Sequence, residues 1–186
     1  MYNKNMATWL TSDLHFFHKN IITYCNRPFG DEYEMNSEIL RVWNDSVADD
    51  DTVIVVGDFT AGLYDRSEEL ITLIGQLKGK KTLVLGNHDH MSAKWYKSAG
   101  FDQVVKYIVD GDILLVHKPA TEYNARSIQL RTQHKPRIVI HGHIHADLPE
   151  IEGHFNVAWD RHRRMINMNE IISQVHYEKQ SSTNAD

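Results

Sequence analysis

The chain holds one cysteine, Cys25, among its 186 residues. A single thiol cannot pair within the chain, so a disulfide framework is excluded and no oxidising compartment is required. Cys25 reads as a small filler near a helix. Long apolar runs are equally absent. Stretches such as 52–56 and 113–116 fall far short of the roughly 20 residues that a membrane-spanning helix needs. Near the N-terminus Lys4 is followed only by the apolar stretch 7–10 before Thr11, Ser12 and Asp13 interrupt. That is too short for a secretory signal, and it points to a cytoplasmic protein with no membrane partner. An excess of basic charge is missing as well, since 20 Lys and Arg stand against 25 Asp and Glu, for a net charge of −5. A dedicated DNA binder is broadly basic, and this chain is not. No internal repeat, low-complexity block or Pro/Gly/Ser-rich linker divides the sequence.

With 41% hydrophobic and 24% charged residues, the composition is that of one folded domain. The domain is expected over 1–178, with a polar, frayed tail at 179–186. Short runs rich in β-branched residues at 8–11, 52–56, 82–85, 104–109, 113–116, 137–140 and 155–158 predict strands. Met35, Ile39, Leu40, Trp43 and Val47 keep the spacing of an amphipathic helix, as do Leu70, Ile71, Leu73, Ile74 and Leu77. A shorter helix is expected between Ser92 as its cap and Gly100, and another after Asn167, where Glu170 completes a capping box. Asp110-Gly111, between two strand-like runs, predicts a tight hairpin turn. Alternating strands and helices indicate an α/β fold, and the hairpin indicates that part of the sheet is antiparallel.

One residue type is plentiful: 12 residues are histidine. Several of them end apolar strand-like runs together with carboxylates and an amide. These ends are Asp13-Leu14-His15, Gly57-Asp58, Gly86-Asn87-His88-Asp89, His117 and Gly142-His143-Ile144-His145. In open α/β sheets ligands bind beyond the carboxyl ends of strands, so groups far apart in sequence converge there. The glycines ahead of Asp58, Asn87 and His143 permit close backbone approach.

In this order the five motifs resemble those of the calcineurin-like metallophosphoesterases: D-x-H, G-D, G-N-H-D, a lone His after a strand, and G-H-x-H. The resemblance runs from Asp13 to His145. It implies an α/β four-layer sandwich of two mixed β-sheets flanked by helices, with a two-metal site at one edge. It also implies that Asp13, His15 and His145 ligate one metal, that Asn87, His117 and His143 ligate the other, and that Asp58 bridges both. Two divalent ions against two aspartates leave a surplus of about two positive charges for a hydroxide and a phosphoryl group. Imidazole, amide and carboxylate donors without thiolate favour transition metals over Ca or Mg, with Mn first and Fe, Zn, Ni or Co as alternatives. The implied reaction is attack of a metal-bridging hydroxide on phosphorus, with His88 protonating the leaving oxygen or stabilising its charge. Asp89 is expected to orient the His88 ring.

His18, three residues past His15, is a candidate substrate contact or the cap of a short helix. Arg27 is a candidate phosphate contact or a surface residue. His141 lies at the edge of the site or is buried in its strand, and His90, His134, His154, His162 and His176 are assigned to surface or structure. Trp95 and Tyr96 read as packing groups of their helix. Basic residues gather at 161–164 and at Arg126, Arg131, Lys135 and Arg137 without the interleaved aromatics of a single-strand platform, so nucleic acid is not the favoured partner. So short a chain has few residues for a cap, which predicts an open site acting on a small phosphorylated or nucleotide-like molecule, with a diester slightly ahead of a monoester. A small metal-dependent nuclease is one alternative, recognised by steep loss of nucleic-acid binding with salt. A non-catalytic protein-binding scaffold on the same fold is another, and the intact set of His88 and ligand positions argues against it.

Overall fold

The computed structural model describes residues 6–61, 65–119, 136–146 and 152–183, with 176–183 described by backbone alone. The elements in chain order are β1 (Thr8–Thr11), α1 (Lys19–Tyr24), α2 (Glu32–Ser46), β2 (Thr52–Val56), α3 (Ser67–Gln76), β3 (Lys80–Val84), α4 (Ala93–Ala99), β4 (Gln103–Val105), β5 (Ile108–Asp110), β6 (Ile113–Leu115), β7 (Ile138–His141), β8 (His154–Asn156), α5 (Trp159–His162), β9 (Ile166–Asn167) and α6 (Met168–Thr183). They form two mixed sheets flanked by helices, as the motif order implies. The first has the order β4-β3-β2-β1-β9, parallel throughout except for β9. In the second, β5-β6-β7-β8, only β5 runs antiparallel to its neighbour.

Strand alternation sorts the apolar residues into two cores. Val53, Val55 and Leu83 face the helices, where they meet Met35, Ile39 and Trp43 of α2 and Leu70, Leu73 and Ile74 of α3. Leu10 and Val56 face the other way and pack on Leu115 and Ile140 of the second sheet. The helices begin where polar groups satisfy their free amides. The Asp31 carboxylate accepts from Tyr33 N and Glu34 N at 3.0 and 2.8 Å, starting α2. Ser92 Oγ accepts from Trp95 N at 3.2 Å, starting α4, and Gly100 ends that helix at φ 121°. The capping box forms as well: Glu170 Oε1 accepts from Asn167 N at 2.9 Å.

Some elements depart from their expected course. The run 104–109 is two strands in different sheets, β4 at the edge of one and β5 at the edge of the other. The chain changes sheets there, which a continuous β-branched run does not announce. The hairpin loop is Gly111-Asp112 rather than Asp110-Gly111, because Asp110 pairs with Ile113. Helices α1 and α5, of 6 and 4 residues, and the two-residue β9 are too short to leave a periodic signal. Helix α6 continues to Thr183, five residues into the expected tail. Glu178, Lys179 and Gln180 are good helix formers and carry the ladder onward. Arg126, Arg131, His134 and Lys135 lie outside the described residues. Among the described residues, no helix is long and apolar enough to cross a membrane.

Trp43 is fully buried in the helix-facing core, and its Nε1 donates to the Lys78 carbonyl at 3.0 Å. Trp43→Ala is expected to lower stability by about 3–5 kcal/mol in urea denaturation. Ile71→Ala, at a site 42% exposed, is expected to change it by about 0.5 kcal/mol or less.

Candidate metal centre

The parallel strands of both sheets end at one edge, and their loops hold one another there. Past β1 and β2 the ladder continues: Asp13 N donates to Gly57 O, and His15 N donates to Asp58 O, each at 3.0 Å. Within the first loop Leu14 and Phe16 are fully buried. The intervening residues Asp13, His15 and Phe17 have φ of 57°, 53° and 62°. Asp58, His143 and His145 share this left-handed conformation, at 52°, 71° and 50°. For a non-glycine residue it costs of order 1–3 kcal/mol, and it persists where surrounding contacts over-determine it, commonly at functional sites.

Bonds between the loops supply that determination. The Asp89 carboxylate accepts from Asp58 N at 2.9 Å, Phe59 N at 3.0 Å and Gly86 N at 2.8 Å, and the Tyr96 hydroxyl donates to it at 3.3 Å. His88 N donates to Asp58 Oδ1 at 2.8 Å, and His143 N to Asp13 Oδ2 at 2.9 Å. The packing excludes side chains at two glycines in particular. A Cβ on Gly142 would overlap Ser12 Oγ and Asp13 Oδ2, and one on Gly86 would overlap Asp58.

The histidine nitrogens show what the edge is arranged to hold. His117 Nδ1 lies 2.9 Å from the Val56 carbonyl. A carbonyl only accepts, so Nδ1 carries the proton and Nε2 presents its lone pair. His145 Nδ1 is bound in the same way to the Asp160 carboxylate at 2.6 Å. The Nε2 atoms of His15 and His117 are buried and make no hydrogen bond. Instead they face one carboxylate oxygen, Asp58 Oδ2, at 3.7 and 3.2 Å, while His145 Nε2 lies 3.8 Å from Asp13 Oδ1. Two donors on one ion at about 2.0–2.2 Å sit roughly 3–3.8 Å apart for angles of about 90–120°, so these separations suit atoms that share a cation. Ligand atoms of Asp13, His15 and His145 all lie within 4.8 Å of one another, and so do those of Asp58, His117 and His143. The donor set therefore fits a divalent metal in each of two adjoining groups.

Protonation differs from group to group along this edge. Burial holds the His15 ring down at about 2, and burial with the neighbouring His117 ring holds His143 at about 4, so both are neutral donors. Burial works against ionisation of Asp58, but the His117 ring and the His88 amide overcome it and hold the carboxyl at about 2. At His145 burial opposes a charge, and the Asp160 bond prevails, carrying the ring to about 10. Asp160 is shared between that ring and the buried Arg27 guanidinium, and burial pushes the Asp13 carboxyl upward.

Two expectations are corrected. Arg27 does not reach outward to a phosphate. Its guanidinium is buried and fully engaged, donating Nε and Nη2 to Asp160 at 2.7 and 2.8 Å, Nη1 to Leu14 O at 2.9 Å and Nη2 to Asp13 O at 2.7 Å. Asp89 does not orient the His88 ring, because backbone amides of the second and third loops occupy its carboxylate. Asn87 is exposed on the third loop, next to the His88 amide that binds Asp58. The His88 ring lies 5.2 Å from that of His15 and 6.1 Å from that of His18. His18 is half-buried and does not cap α1 with its side chain, and its Nδ1 sits 3.2 Å from His15 Nδ1. His141 is buried, with Nδ1 at the Gly142 carbonyl. Cys25 caps the C-terminus of α1 through its amide, and its thiol shares a cluster with His145 and Asp160. In the basic run 161–164, Arg164 is tied to Glu170 at 2.7 Å.

Asp160 is the residue that sequence reasoning missed. It links Arg27 to His145 across the molecule, and its one sequence signal is an acid two residues past the apolar run 155–158.

Fold and site together define a class, the metal-dependent phosphoester hydrolases. A family model for the calcineurin-like phosphoesterase superfamily domain matches residues 6–178, and the chain belongs to that superfamily. The uncharacterized protein MJ1445 of Methanocaldococcus jannaschii is 34% identical over 140 residues, covering 75% of this chain and 69% of that protein. The Gene 66 protein of Mycobacterium phage L5 is 31% identical over 163 residues, covering 76% and 78% respectively. The crystal structure of the protein of unknown function AQ665 from Aquifex aeolicus is similar at a TM-score of 0.74 and 25% identity, covering 91% of this chain and 100% of that one.

Asp160→Asn keeps the side-chain shape but weakens the hold on His145 Nδ1. It is expected to weaken Mn binding about 10- to 100-fold in calorimetric titration of the metal-free protein, with the circular dichroism spectrum retained.

Proposed function

We propose that the chain is a binuclear metal-dependent phosphoesterase that hydrolyses a diester, in preference to a monoester, of a small phosphorylated or nucleotide-like molecule. The observation that carries this reading is the position of Asp58. Its Oδ2 faces His15 Nε2 of one donor group and His117 Nε2 of the other, at 3.7 and 3.2 Å. One carboxylate between two buried, partnerless nitrogens suits a bridging ligand. Divalent ions held there, Mn foremost, supply an activated water and neutralise charge on the phosphoryl oxygens.

The chain's own residues divide the remaining work. Asp13, His15 and His145 would hold one ion, and His117, His143 and Asn87 would hold the other. Val56 and Asp160 fix ring tautomers so that Nε2 faces inward. His88, whose amide is bound to Asp58 and whose ring lies 5.2 Å from that of His15, would give a proton to the departing oxygen. A protein-binding scaffold on this fold would have no use for two buried imidazole nitrogens converging on one carboxylate oxygen without a hydrogen bond, since such burial costs desolvation energy.

Reloaded with Mn, the protein is expected to hydrolyse bis-(p-nitrophenyl) phosphate, and Asp58→Asn to abolish the activity. Hydrolysis that survives this substitution would remove Asp58 from the bridging position. His88→Ala is expected to slow turnover by about a hundredfold or more while elemental analysis still finds both metals. Loss of metal together with activity would instead make His88 a ligand.

A further inference from the structure

Among the described residues Tyr24 is the most exposed large hydrophobic side chain, at 72%. Single exposed aromatics are ordinary, so exposure alone assigns nothing. The rings beside it give it significance. The Tyr24 ring meets His18 edge-on at 6.4 Å between centroids. His18 in turn lies 5.2 Å from the candidate ligand His15 and 6.1 Å from His88. An unbroken run of rings thus leads from the metal centre, past the group that would serve the leaving oxygen, to an aromatic face open to solvent.

The run is also held rigidly. Helix α1, which carries Tyr24, starts where His18 N donates to His15 O at 3.0 Å. Just beyond its end the chain is anchored by Arg27, whose guanidinium grips the Asp13 and Leu14 carbonyls. The helix is therefore clamped at both ends to the D-x-H loop, and the ledge keeps its place relative to the site. Ile21 is the buried residue that seats α1 on the core, so Tyr24 is not needed for packing.

We infer that the Tyr24 ring, braced edge-on by His18, is a stacking ledge for the base of a nucleoside-bearing phosphodiester bound at the candidate metal centre. This rests on the phosphoesterase reading and narrows its substrate class. A phosphoryl group on the metals places the adjoining nucleoside past His88 and over His18, with its base against the Tyr24 ring. Stacking is tolerant of base identity, because every base offers a π-face.

The test compares kcat/KM for thymidylyl-(3′→5′)-thymidine with that for the same diester lacking the base on its 5′-linked sugar. The intact protein should prefer the base-bearing diester, and Tyr24→Leu should reduce that ratio about tenfold. Tyr24→Phe should keep the ratio, and so should Tyr33→Leu, which removes an exposed tyrosine from α2. A ratio unmoved by Tyr24→Leu, or lost in Tyr24→Phe, overturns the ledge. If bis-(p-nitrophenyl) phosphate is cleaved and neither of these diesters is, the ledge is overturned; if none of the three is cleaved the phosphoesterase reading falls, and calorimetry still decides the ledge. Thymidine 5′-monophosphate should then bind the intact protein about tenfold more tightly than deoxyribose 5-phosphate, and Tyr24→Leu should erase the difference. Equal binding of the two to the intact protein overturns it.

Discussion

The parallel ladder between β1 and β2 does not stop where the strands stop, and the site depends on that continuation. Asp13 and His15 donate their amides to the Gly57 and Asp58 carbonyls, so the loops after the two strands advance together. Each loop must turn its polar side chains toward the edge while Leu14, Phe16 and Phe59 stay in the core. Alternate left-handed residues meet both demands at a cost in backbone strain. The Asp89 carboxylate then ties the third loop to the second. Without these cross-loop bonds the strained residues would relax and the imidazoles would lose their common focus.

Charge at the edge follows the same logic. Arg27 and Asp160 form a buried ion pair whose members are 133 residues apart in sequence, and each also binds part of the metal centre. A buried pair alone is a weak source of stability, because desolvation offsets much of its attraction. Here the pair sets geometry, since Arg27 fixes the carbonyls behind the D-x-H loop and Asp160 fixes the ring of His145. Asp13 and Asp58 lie inside this frame with buried imidazole nitrogens aimed at their oxygens. Donor atoms of both aspartates and of His15, His117, His143 and His145 thus gather into two groups able to hold a metal ion.

Much of this is legible in the sequence. The five strand-end motifs stand in local stretches, and six of the residues they name, Asp13, His15, Asp58, His117, His143 and His145, bring their donor atoms into two groups. The amphipathic spacing of Met35 to Val47 and of Leu70 to Leu77 locates α2 and α3, and Ser92, Gly100 and Glu170 mark helix ends through local hydrogen bonds. Arg27 and Asp89 mislead because a charged residue beside a motif looks the same in sequence whether it points outward or inward. Arg27 has its acceptors in Asp13, Leu14 and Asp160, and Asp89 has its backbone donors in the second and third loops. The split of 104–109 between two sheets is hidden for a related reason. β-branched residues report extended backbone, and nothing local says which sheet will pair with it.

The sequence by itself determined the class of chemistry, because donor types and their order after apolar runs depend only on neighbours along the chain. It also determined the two faces of β2, since alternation is a property of extended backbone. Tertiary structure alone decided which nitrogen of His117 and of His145 faces inward, that Asp160 supports the His145 ring, and that Tyr24 stands open beside His18. Those outcomes depend on contacts between loops that lie far apart in sequence, where distance and burial assign a polar group its partner.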